Sequence, residues 1–136
     1  MRAWLLPAVL LFPARPAAAQ AADTLPARVL QRQIETFNRR DLDGFMALYA
    51  EDAEVAEFPS GKVLFQGRDA IRAHYQEVLR TVPRDMLVRI EPRIVEGSYA
   101  VEHERWNAKP GERDHATWLY YISGGLIRKS WTIVNR

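Results

Sequence analysis

From Leu25 onward the apolar positions keep a helical period. Val29, Leu30, Gln33, Ile34 and Phe37 share one stripe, at the three-to-four-residue spacing of an amphipathic helix. This predicts a helix from Leu25 to about Asn38. Asp41 is a capping residue type, and Leu42, Phe45, Met46, Leu48 and Tyr49 behind it predict a second helix that stops at Ala50-Glu51-Asp52. Ala53 to Phe58 reads as a short strand, Pro59-Ser60-Gly61 as a turn and Val63-Leu64-Phe65 as the partner strand. A third helix is predicted over Arg68 to Thr81. Ile71, Tyr75, Val78 and Leu79 fall at core spacing there, Asp69 sits near the positive end and Pro83 follows.

The pattern then changes to period two. Met86–Val95, Tyr99–Ala108, His115–Ser123 and Leu126–Val134 carry alternating, β-branched and aromatic residues, separated by Gly97-Ser98, Pro110-Gly111 and Gly124-Gly125. Short turns between successive strands predict an antiparallel meander. Three helices against one face of a curved, mainly antiparallel sheet make an α+β fold. Its shape is a half-open cone with a hollow between helices and sheet, where small ligands bind.

The first nineteen residues do not fit this domain. Arg2 is followed by the apolar run Ala3 to Phe12 and then by Pro13-Ala14-Arg15-Pro16-Ala17-Ala18-Ala19. The run is too short to span a bilayer, and small residues precede Ala19 as a signal peptidase requires. We expect a leader over residues 1–19, a flexible lead over 20–24 and one domain from 25 to 136. Its location would be periplasmic or secreted, in a bacterium, with no membrane anchor after cleavage.

Composition sharpens this picture by exclusion. The 136 residues are 48% hydrophobic and 26% charged, which is ordinary for a globular domain. There is no cysteine, so disulfides, thiolate metal sites and a cysteine nucleophile are excluded. Two of the 19 basic residues and none of the 17 acidic ones lie in the leader, so the remainder is formally neutral. Charges of both signs alternate along it, the pattern of a solvated surface rather than of a nucleic-acid footprint. We expect no nucleic-acid partner and no cofactor.

The run Phe37-Asn38-Arg39-Arg40-Asp41-Leu42-Asp43-Gly44-Phe45-Met46-Ala47-Leu48-Tyr49-Ala50-Glu51-Asp52-Ala53 resembles the opening signature of SnoaL-like proteins, within the nuclear-transport-factor-2-like superfamily. The resemblance continues through Gly67-Arg68-Asp69-Ala70-Ile71-Arg72 and resumes at Gly124-Gly125-Leu126-Ile127-Arg128. It implies a cystatin-like cone with a central pocket, and a homodimer formed through the sheet face. It implies no single activity, because this fold hosts isomerases, hydrolases, dehydratases, cyclases and proteins with no chemistry. Ketosteroid isomerases of the superfamily use a carboxylate base with a Tyr and a neutral Asp as oxyanion donors. Their pattern places the carboxylate at Glu57, the Tyr at Gln33 and the Asp at Thr117. Two of the three positions have changed chemistry, which disfavours that reaction. The last-strand Asp of epoxide-hydrolase-like relatives falls at Thr132, which disfavours that one too.

If Thr117 faces the hollow, period-two alternation puts His115, Leu119 and Tyr121 there as well. The preceding strand offers either Val101, His103, Arg105 and Asn107 or Glu102, Glu104 and Trp106; the first set is preferred, and one bulge would invert the choice. Trp118, Tyr120 and Trp131 would then form an aromatic patch on the outer face, available to a partner. His74 is read as a surface residue. The candidate catalytic residues are Glu57, His103 and His115, a carboxylate with two imidazoles suited to proton transfer. Arg105 could hold a developing oxyanion. Gln33, Phe37, Tyr75, Arg105, Thr117, Tyr121 and Thr132 are the candidate ligand contacts. No His-x-His or His-x3-His spacing supports a metal site. The expected function is binding of a small apolar or aromatic molecule. The alternatives are a cofactor-free isomerase, lyase or hydrolase, or an assembly module.

Overall fold

A computed structural model describes residues 24–133. The expected leader, residues 20–23 of the lead and residues 134–136 lie outside them. Helix α1 spans Leu25–Asn38. Thr24 caps it, its hydroxyl accepting from the Ala27 N–H at 3.4 Å. Pro26 falls in the first turn, where its missing N–H leaves no bond unmade. Ala27, Val29, Leu30, Gln33, Ile34 and Thr36 are buried, close to the stripe read from the sequence. Helix α2, Leu42–Met46, starts at Asp41, whose carboxylate accepts from the Gly44 N–H at 2.9 Å. A side chain at position 44 would collide with that carboxylate. Helix α3 spans Arg68–Thr81. Its end is held by Arg40, whose guanidinium donates to the carbonyls of Leu79, Val82 and Pro83. A cation there satisfies carbonyls that have no partner within the helix.

The strands are β1 Tyr49–Phe58, β2 Val63–Gln66, β3 Val88–Glu96, β4 Tyr99–Trp106, β5 His115–Ser123 and β6 Leu126–Ile133. They form one sheet in the order β2-β1-β6-β5-β4-β3. All neighbours are antiparallel except β1 and β6, which pair in parallel. The α+β cone is therefore present as a curved mixed sheet under helices. No helix among the described residues is long and apolar enough to cross a membrane.

The second helix is shorter than expected. It ends at Met46, and the chain enters β1 at Tyr49 rather than at Ala53. The reason is a long-range pairing: Tyr49 lies opposite Ile127, and the Ile127 N–H donates to the Leu48 carbonyl at 2.8 Å. A parallel partner almost eighty residues away outweighs the local helical spacing. The core joins α1, α2 and α3 to the concave side of the sheet through Leu30, Phe45, Tyr49, Ile71, Tyr120 and Ile127, all buried.

Candidate functional site

Between the helices and the concave face lies a cavity of about 340 Å³. Helix α1 supplies Gln33 and Phe37, α2 supplies Phe45, and α3 supplies His74, Tyr75 and Val78. The sheet and its loops supply Met86, Glu104, Trp106, Arg113, Ala116, Trp118 and Thr132, among others. The aromatic wall is a packed cluster. The Phe45 and Tyr75 rings are 4.5 Å apart and those of Phe37 and Phe45 6.1 Å apart, the tilted separations aromatic pairs prefer.

Glu104 is the carboxyl of this cavity. Burial pushes it up to about 8, and the neighbouring Glu102 carboxylate adds to the shift. The Trp118 indole and Tyr120 hydroxyl hydrogen-bond to it, and with Arg93 they oppose the shift without cancelling it. At neutral pH it is therefore mostly a protonated, hydrogen-bond-donating acid. Glu102, two residues earlier on the same face, is fully buried and paired with Arg93, whose Nη1 also donates to the Ala27 carbonyl at 3.1 Å. Gln33 Nε2 donates to the Tyr49 hydroxyl at 2.8 Å, and that hydroxyl is a hydrogen-bond partner of Tyr75. Burial raises Tyr49, Tyr75 and Tyr120 far above the ordinary phenol range, so these three stay neutral.

His74 is a correction to the sequence reading. It lines the cavity rather than the outer surface, stacked on Phe65 with ring centres 4.2 Å apart and edge-on to Tyr75 at 5.2 Å. Desolvation lowers its pKa, which leaves a neutral imidazole at neutral pH.

The expected face of the sheet is also corrected. Gln33, Phe37, Tyr75 and Thr132 line the cavity. His103, Arg105, His115, Thr117 and Tyr121 do not, because Glu104, Trp106, Ala116 and Trp118 occupy the concave face of β4 and β5. Adjacent residues of a strand point to opposite faces. Thr117 stands opposite His103, and His115 opposite Arg105, so these side chains share the convex face. There His103 Nδ1 lies 3.0 Å from the Thr117 hydroxyl and His115 Nδ1 2.7 Å from Asp114. The two imidazoles are neighbours, 5.3 Å between ring centres, but outside the cone. Arg105 pairs with Asp114 and Glu91 on the same face. Glu57 lies opposite Thr132 at the far end of β1, where its backbone joins the hairpin to β2, and it does not line the cavity. No group of three His, Asp or Glu among the described residues is arranged to hold a metal.

The inversion has a physical source in the ladder. A register shift between Tyr121 and Ile122 places Ser130 opposite Tyr120 and Thr132 opposite Trp118. Counting back through the Gly124-Gly125 turn without that extra residue lands one position off. The readable signal was apolar content. Ala116, Trp118, Tyr120 and Ile122 form one face of β5 and carry more apolar surface than His115, Thr117, Leu119 and Tyr121 on the other. Trp118 and Tyr120 accordingly face inward, while Trp131 stays outside beneath the Lys129 ammonium, 5.1 Å from its ring centre.

Comparison with known proteins agrees with this fold. The SnoaL-like domain matches residues 30–129. The chain belongs to the SnoaL-like family. No curated protein matches the chain. Among solved structures, this SnoaL-like chain is similar to an NTF2-like protein of unknown function from Mesorhizobium loti, at 20% identity and a TM-score of 0.68 over 85% of this chain and 94% of that one. It is similar to a cystatin-fold protein from Novosphingobium aromaticivorans, at 18% identity and a TM-score of 0.67 over 80% and 97%. It is also similar to a SnoaL-like protein of unknown function from Burkholderia thailandensis, at 16% identity and a TM-score of 0.66 over 81% and 94%. At such identities the likeness concerns the fold.

Proposed function

We propose that this SnoaL-like domain binds a small, largely aromatic or apolar molecule in its cone and holds an acceptor oxygen of that molecule on Glu104. The observation that carries the reading is a single carboxyl, pushed up to about 8, set in an aromatic cavity of about 340 Å³. A neutral acid in such a place donates a hydrogen bond where a carboxylate could only accept one. The test is thermal denaturation across a panel of aromatic and apolar compounds, repeated with Ala116→Leu, which extends a side chain from the cavity wall into the hollow. Stabilisation that grows with ligand excess in the wild type and vanishes in Ala116→Leu is the expected result. A panel with no effect, or one unchanged by the filled cavity, overturns the reading.

A second reading is favoured by His74. A neutral imidazole and a neutral carboxyl in one cavity are a base and an acid of matched kind for cofactor-free proton transfer at carbon. Hydrogen exchange of 2-tetralone in heavy water, followed by NMR, should be faster with wild type than with His74→Gln or Glu104→Gln. Equal rates in all three sink the enzymatic reading and leave the binding one. Export through the leader and a homodimer through the convex face belong to the proposal too. They are checked by the N-terminus of the secreted protein, expected at Gln20, and by sedimentation of Trp131→Ala, expected to weaken association.

A further inference from the structure

We infer that the molecule taken by the cone is an aromatic carboxylate, its rings in the hollow and its carboxylate on Arg113. This rests on the binding reading above and names the chemical class of its ligand. Arg113 is the one arginine or lysine among the described residues that line the cavity. Its main chain and side chain are both held in place. Trp106, itself in the cavity wall, donates from Nε1 to the Arg113 carbonyl at 2.9 Å. Arg113 Nε in turn donates to the His115 carbonyl at 2.8 Å. That bond uses one edge of the guanidinium and leaves the terminal nitrogens without a carboxylate among the described residues.

The acids beside it in sequence are engaged elsewhere. Asp114 receives Arg105 and His115, and Glu112 accepts from the Lys109 N–H at 3.3 Å. Elsewhere in the fold Arg68, Arg72, Arg80, Arg93, Arg105 and Arg128 each meet a carboxylate, while Arg32, Arg39, Arg40, Arg84 and Arg89 show none among the described residues but do not line this cavity. Arg113 instead borders an apolar hollow, with its planar fork unmatched. A carboxylate is the group that fork fits, with two parallel N–H···O bonds. The solvent at the mouth moderates the pairing, and the apolar wall beside it strengthens it.

The carboxyl of the cavity tolerates an anionic ligand. Glu104 is neutral at pH 7, so it presents a donor to the ligand's second oxygen and no charge to repel its carboxylate. The same wall holds Phe37, Phe45, Tyr75, Trp106 and Trp118, which favour flat rings over a flexible chain. At about 340 Å³ the hollow is near the small end of ligand pockets, which begin at about 300 Å³. A bicyclic skeleton suits it better than a tetracyclic one.

The experiment compares 6-methoxy-2-naphthoic acid with its methyl ester at pH 7, by naphthalene fluorescence titration of the wild type, Arg113→Gln and Arg113→Lys. Far-UV circular dichroism verifies the fold of each variant. The expected result is a preference for the acid of roughly fivefold, the scale of a partly exposed charge-assisted bond. It should disappear in Arg113→Gln, with the acid losing more affinity than the ester, and be partly kept in Arg113→Lys. Equal binding of acid and ester to the wild type, or a preference that survives Arg113→Gln, overturns the inference while ester binding upholds the cavity reading. Failure of both compounds to bind the wild type overturns both together.

Discussion

The two faces of β4 and β5 are built from alternate residues of the same two strands, yet they have opposite chemistry. The concave face carries Glu102, Glu104, Trp106, Ala116, Trp118 and Tyr120, and its carboxyls are shifted upward because burial withholds water from them. The convex face carries His103, Arg105, His115 and Thr117, where Asp114 is held below its ordinary value by His115 and then Arg105. An acid one or two residues from a concave carboxyl in the ladder thus has the reverse behaviour. Desolvation governs the inside and solvent-screened pairing the outside. Sequence proximity says nothing about which regime a residue experiences; the face does.

The comparison breaks most sharply at Glu102 and Arg93. Arg93→Ala leaves a fully buried carboxyl without its partner and is expected to cost about 3 kcal/mol in urea unfolding. The double substitution Arg93→Met with Glu102→Leu should recover most of that loss. A single variant as stable as the wild type would mean that the concave face is wetter than its burial indicates.

A smaller effect is expected at Glu104, and it depends on pH. In the unfolded chain this carboxyl ionises near 4.5, and in the folded protein at about 8. Between those values the unfolded state binds fewer protons, so stability falls as pH rises from about 4.5 to 8 and levels off above. Glu102, Arg93, Trp118 and Tyr120 face this group. The variant Glu104→Gln should lack that part of the decline, so its melting temperature relative to wild type should be higher at pH 9 than at pH 5. Parallel curves for the two proteins would show that Glu104 does not carry the shift.

The smallest effects belong outside. His103→Ala and His115→Ala lie on the convex face in partly exposed hydrogen bonds and should change stability by about 0.5 kcal/mol or less. They should also leave ligand affinity in the cone unaltered. Loss of ligand binding in either variant would reopen the choice of face.

How much of this was legible depends on the range of the interaction that decides it. Helix α1 and strand β5 begin and end where the pattern placed them, because cap, period and turn residues are all local. The end of α2 was not legible, since Tyr49 keeps helical spacing until β6 offers it a parallel partner, Ile127. At the site, the stripe on α1 located Gln33 and Phe37 in the wall, and the spacing on α3 located Tyr75. Glu104, Trp106 and Trp118 needed the parity of the sheet, which one irregularity near Tyr121 inverts. His74 needed the neighbouring Phe65 ring, which comes from another element.

By itself, the order of polar and apolar residues determined α1, α3 and the start of α2, most of the strands, the family signature and the existence of a roofed sheet. These depend on propensity, capping and periodicity within a few residues. The apolar bias of β5 pointed toward one side of the sheet, but the tertiary structure decided which side became the inside, and therefore which acids lost their water. A one-residue change of register leaves the local pattern intact while exchanging every side chain between solvent and core. Only packing against the helices breaks that tie.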